Sequence, residues 1–92
     1  SNKSEKQQNV DEKKYKDLEY KIGQASLKYV DFYDYDLTND SIRIDVQTLI
    51  KFGFLDKIID PVDNSECNGY VLINKSKKPV SYLKCNNYST VS

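Results

Sequence analysis

The chain has 92 residues, one domain at most, and sets 14 Lys and Arg against 14 Asp and Glu, so it lacks the cationic excess of a nucleic-acid binder. It contains no histidine, which removes the usual general base, the Ser-His and Cys-His nucleophile pairs and the commonest zinc ligand, and so points away from an enzyme. With 30% charged and 38% hydrophobic residues it reads as a folded, soluble domain, and no apolar run approaches the roughly 18–20 residues of a membrane span. There is no methionine either, so the chain reads as a fragment of a longer protein with Ser1-Asn2 as a tag remnant.

Residues 3 to about 36 contain one glycine and no proline, and Tyr15, Leu18, Ile22, Ala25, Tyr29 and Phe32 recur at steps of three and four. That spacing predicts one buried face of a long amphipathic helix. The first dozen residues are polar and are expected to project into solvent. "DFYDYDLTNDS" then ends the helical pattern. "SIRIDV" alternates like a short strand, and "DVQTLIKFGF" reads as a short helix with Asp45 as N-cap and Gly53 as a left-handed C-terminal cap. Val46, Leu49 and Ile50 would face the core, with Phe52 or Phe54 closing the end.

"CNGYVLINKSKKPVSYLKC", residues 67–85, reads as a β-hairpin with "NKSKKP" as its turn. A turn centred on Ser76 sets Tyr70 opposite Tyr82, Val71 opposite Ser81, Leu72 opposite Val80 and Cys67 opposite Cys85. Directly opposed strand residues have Cα atoms about 4.5–5.5 Å apart, and a disulfide spans about 4.4–6.8 Å. The cysteines fit neither a C-x-x-C redox motif nor a zinc site, which needs about four sulfur or nitrogen ligands. A staple is the favoured reading, ahead of two unrelated buried thiols. It implies an oxidising, extracytoplasmic setting.

Asp60, Asp63, Asn64 and Glu66, in "DPVDNSE", are the candidate calcium ligands, although no EF-hand pattern surrounds them. The competing reading is a solvated turn whose side chains cap their own backbone. No cofactor is expected and no residue is nominated as catalytic. Among the eight tyrosines, Tyr15 and Tyr29 fall on the helical stripe and Tyr70 and Tyr82 form a cross-strand pair, leaving Tyr20, Tyr33, Tyr35 and Tyr88 to be exposed. Asn39, Asn74 and Asn87 each open an N-x-S sequence.

The fold class read from this order is α+β: a long N-terminal amphipathic helix packed on a small antiparallel β-sheet with a disulfide-stapled C-terminal hairpin. Three stretches, "IDVQTLIKFGFLDKIIDP" at 44–61, "CNGYVLI" at 67–73 and "SYLKC" at 81–85, resemble the soluble domain of type IV pilin-like proteins and pseudopilins, especially small Gram-positive ones. The resemblance covers about residues 15–85. It implies a structural subunit of a pilus-like or pseudopilus-like assembly for secretion, adhesion or DNA uptake. It also implies a leader-clipped hydrophobic helix upstream, through which the subunit meets the membrane and other pilin-like subunits. The alternative is an extracellular binding module or the tethered domain of a surface lipoprotein.

Overall fold

The computed structural model describes the backbone of residues 5–91 and the side chains of residues 11–91. Helix α1 (Glu5–Phe32) is followed by β1 (Ile42–Asp45), α2 (Val46–Lys51), β2 (Asn68–Ile73) and β3 (Val80–Lys84). The three strands form one antiparallel sheet in the order β1-β2-β3. The fold is therefore α+β, with α1 and α2 against one face of the sheet.

The strand pattern explains which face is covered. Ile44, Val71, Ile73 and Leu83 point inward and are buried, while Arg43, Tyr70, Leu72, Val80 and Tyr82 alternate with them on the other face. Tyr15, Ile22, Ala25 and Tyr29 of α1 complete the core with Val46 and Leu49 of α2 and Leu55 and Ile58 of the following loop. This is the stripe read from the helical spacing, with Leu18 partly buried at its margin.

Phe32 departs from the expectation: it is 73% exposed. The buried face runs on from Tyr29 to Val30, the helix ends, and Phe32 is left edge-on to Tyr33 and Phe54. Ser26, not expected in the core, is fully buried, and its hydroxyl donates to the Gly23 carbonyl at 2.7 Å. That local bond satisfies the one polar group the position brings in.

Helix α2 ends as expected. Gly53 has φ +81°, its N–H donates to the Ile50 carbonyl at 3.1 Å, and the Phe54 N–H donates to the Leu49 carbonyl at 2.8 Å. Those two bonds define a Schellman cap. Asp45 has the extended backbone of an N-cap, but its side chain makes no capping bond. It accepts instead from Arg43 Nε at 3.1 Å. Phe54, rather than Phe52, closes the end, packing edge-on to Tyr29 while Phe52 stays half exposed.

The hairpin register is centred on Ser76: Tyr70 faces Tyr82, Val71 faces Ser81 and Leu72 faces Val80. The turn is fixed by the Asn74 side chain, which accepts from the Ser76 N–H at 2.9 Å, and by Lys77 in the left-handed region at φ +56°. Gly69 has φ +151°, and a Cβ there would lie 2.1 Å from the Tyr82 carbonyl oxygen, so only glycine allows β2 and β3 to approach as they do. Ser81, on the helix side of β3, donates to the Glu19 carbonyl at 2.7 Å and ties the hairpin to α1.

Candidate functional site

Cys67 and Cys85 are joined by a disulfide with Cα atoms 4.4 Å apart. The bond closes the open end of the hairpin. Cys67 is buried, and its N–H donates to the Ile58 carbonyl at 2.7 Å, so the staple also holds the loop that precedes β2.

That loop carries the four nominated carboxylate and amide residues. The fold separates them into two kinds. Asn64 and Glu66 are exposed at its rim, Asn64 with a left-handed backbone at φ +62°. Asp60 and Asp63 converge on the segment after β3. Asp60 is not part of a solvated turn: it is 0% exposed. Its Oδ1 accepts from the Tyr15 hydroxyl at 2.6 Å and the Val62 N–H at 2.8 Å, and its Oδ2 accepts from the N–H and Nδ2 of Asn87 at 3.0 and 3.2 Å. A carboxylate offers about four acceptor positions, so these donors fill it. Asp63 does behave as the turn reading expects, with Oδ1 accepting from the Ser65 N–H at 3.0 Å and hydroxyl at 2.5 Å. Its Oδ2 adds Nδ2 of Asn86 at 3.2 Å and of Asn87 at 3.0 Å.

The electrostatics follow from these bonds. Burial alone pushes the Asp60 carboxyl up, but hydrogen bonds from Tyr15, Val62 and Asn87 outweigh it and hold the group below the ordinary carboxylate range. Asp63, held by the Ser65 hydroxyl and amide and by Asn86, is lowered to about 2. Burial, and then the hydrogen bond to Asp60, pushes the Tyr15 phenol above its usual value. Tyr88 does not stay exposed as expected. Its ring stacks on Tyr15 at 4.4 Å and its hydroxyl donates to Glu19 Oε2 at 3.0 Å. Burial, with Glu19, pushes its phenol up to about 12.

The Asp60 carboxylate and both cysteine sulfurs lie within 4.8 Å of one another. The sulfurs are bonded to each other and present no thiolate to a metal. Asp60 thus joins three parts of the chain, α1 through Tyr15, its own turn through Val62 and the C-terminal segment through Asn87, immediately beside the disulfide. Tyr15, Asn86 and Asn87 are the members of this cluster that local sequence reading misses as partners of the loop.

A second cluster lies at the other end of α1. Tyr29 is buried and contacts the rings of Tyr33, Tyr35, Phe52 and Phe54. Tyr33, Tyr35 and Phe52 are each about half exposed, as is expected for both tyrosines. The hydroxyls of Tyr29 and Tyr35 lie 3.4 Å apart. That hydrogen bond, together with burial, pushes the Tyr29 phenol up to about 12. On the open sheet face Tyr70 and Tyr82 stack at 4.9 Å, with the Arg43 guanidinium 3.9 Å above the Tyr70 ring.

Comparison with known proteins identifies no relative: no family model, no curated protein and no solved structure matches the chain.

Proposed function

We propose that the chain is the outward-facing head of a structural, non-enzymatic subunit in a pilus-like or pseudopilus-like surface assembly. In this reading it is membrane-anchored, and joined to other pilin-like subunits, through a hydrophobic helix that continues α1 upstream. The observation that carries the proposal is the shape of α1. Its 28 residues are about 42 Å long at 1.5 Å per residue, close to the 48 Å long axis of a molecule only 24 × 19 Å in section. Tyr15 is the first buried side chain among the described residues, two to three turns into the helix. The described side chains begin at residue 11, so the expectation that the polar first dozen residues project into solvent lies largely outside them. The Cys67–Cys85 disulfide is compatible with an extracellular location.

A second reading, an extracellular binding module or a tethered lipoprotein domain, draws support from the exposed rings of Phe32, Tyr33, Tyr35 and Phe52. The native coding sequence upstream of residue 3, with N-terminal sequencing of the protein isolated from its own cells, separates the two. The pilin-like reading expects a clipped basic leader followed by about 20 apolar residues continuous with α1. A lipidated cysteine in that position would favour the tethered module, and a cytosolic start would overturn both.

A further inference from the structure

The two edges of the sheet are finished differently. β3 is covered by the chain's own C-terminal segment: Lys84 bridges Ser89, the Cys85 N–H donates to the Tyr88 carbonyl at 2.8 Å, and the Thr90 N–H donates to the Leu83 carbonyl at 2.8 Å. The Leu83 N–H is met by Thr90 Oγ1 at 2.7 Å. β1 pairs with β2 on one side, and among the described residues no strand pairs with its other side. A groove of about 490 Å³ runs along that side, flanked by Tyr29, Tyr35 and Thr48.

An open strand edge is a template for another strand, and proteins commonly block it with lysine, proline, a bulge or an inward-pointing charge. β1, "IRID", has no lysine or proline, and its charges, Arg43 and Asp45, are both exposed. They are opposite in sign and, within the single chain, are paired with each other at 3.1 Å with the Arg43 guanidinium over the Tyr70 ring, so pairing across the edge exchanges this exposed contact in each copy for two between copies. We propose that this edge is an association surface for a second copy of the chain, the two β1 strands pairing antiparallel about Ile44 to form one continuous six-stranded sheet. This inference rests on the sheet alone and holds whichever assembly the chain serves.

Charge selects the register. In a two-fold antiparallel pair of identical strands, residues that turn their backbone groups toward the partner must face one another, so one residue faces its own copy. Centred on Arg43, the pair would oppose two guanidiniums; centred on Asp45, two carboxylates. Centred on Ile42, Arg43 would face Ser41 and Ile44 would face Asp40. Centred on Ile44, the Arg43 of each copy faces the Asp45 of the other, twice, on the open face of the sheet. Opposed side chains have Cβ atoms about 4.5–5.5 Å apart, within reach of an ion pair, and like charges there are destabilising. The contact is short and falls below the roughly 1,200 Å² of a stable interface, so the dimer is weak, with a dissociation constant on the order of 0.1–1 mM. It would be populated where copies are concentrated on one surface.

Sedimentation equilibrium of the protein from about 0.02 to 2 mM tests the proposal. A concentration-dependent dimer is expected, weakened at least about tenfold by Arg43→Asp or by Asp45→Arg, each of which sets like charges opposite one another. An equimolar mixture of the two variants restores opposite charges at both crossings and should dimerise again, which repair of a fold within one chain could not produce. In the unsubstituted protein, amide shifts on dilution should centre on residues 42–46. A monomer throughout the range, a dimer indifferent to both reversals, a mixture that stays monomeric or shifts confined to another surface would each overturn it.

Discussion

Asp60→Ala is expected to lower stability by about 3–5 kcal/mol, a large share of the roughly 5–14 kcal/mol available to a domain of this size. The substitution removes the acceptor of four hydrogen bonds and leaves the buried Tyr15 hydroxyl and the Val62 and Asn87 amides without it. Each stranded group costs about 1–3 kcal/mol, reduced where water reaches it. Tyr15→Phe takes away a single donor, keeps the ring stacked on Tyr88, and should cost about 1–2 kcal/mol. Urea denaturation of both variants checks the ordering. Acid should act on the same cluster. Asp60 and Asp63 are both held below their ordinary values, so the stability they contribute is present above about pH 4 and is lost as pH falls through their folded values, toward about 2 for Asp63. The melting temperature should therefore fall progressively from pH 4 toward pH 2. A flat profile over that interval would contradict the assigned hydrogen bonds.

Reducing the Cys67–Cys85 disulfide is expected to cost about 3 kcal/mol and to lower the melting temperature by on the order of 15 °C. The bond closes a loop spanning 18 positions, which sets the scale of the denatured-state entropy it removes. The native hairpin keeps its other restraints: the register of β2 on β3, the Asn74 turn and the Ser81 bond to α1. Reduction should therefore destabilise the domain without changing its far-UV circular dichroism at low temperature. Cys67→Ala/Cys85→Ala, which leaves no thiols to oxidise or exchange, should match the reduced protein within about 1 kcal/mol. Unchanged melting on reduction would show that the hairpin is held equally well without the bond.

The parts of the fold legible in the sequence are those written at short range. Period-two alternation, a polar turn and two cysteines each nine positions from Ser76 place β2 and β3 in one register, and steps of three and four mark the face of α1. What the sequence leaves unread depends on where elements meet. Asp60 lies in a run of turn formers, and nothing local separates it from Asp63. Its burial comes from donors 45 and 27 residues away, Tyr15 and Asn87. Tyr88 follows the last strand and looks like part of a loose tail until it is stacked on Tyr15. Phe32 fits the helical period but falls on the residue where the helix stops. Asn87 stands in the sequence as the start of an N-x-S motif, while in the fold its side chain is turned to two carboxylates.

In "DPVDNSE" Asp60 and Asp63 commit their oxygens to protein donors, and together they hold α1, the loop and the C-terminal segment. Thermal unfolding with and without about 1 mM calcium tests this most directly. A site with a dissociation constant of about 10 μM would gain about 2.7 kcal/mol and raise the melting temperature by more than about 10 °C. With both carboxylates filled by protein donors, the melting temperature should change by no more than about 1 °C; a rise on the larger scale would show that Asp60 and Asp63 release those donors to coordinate the ion.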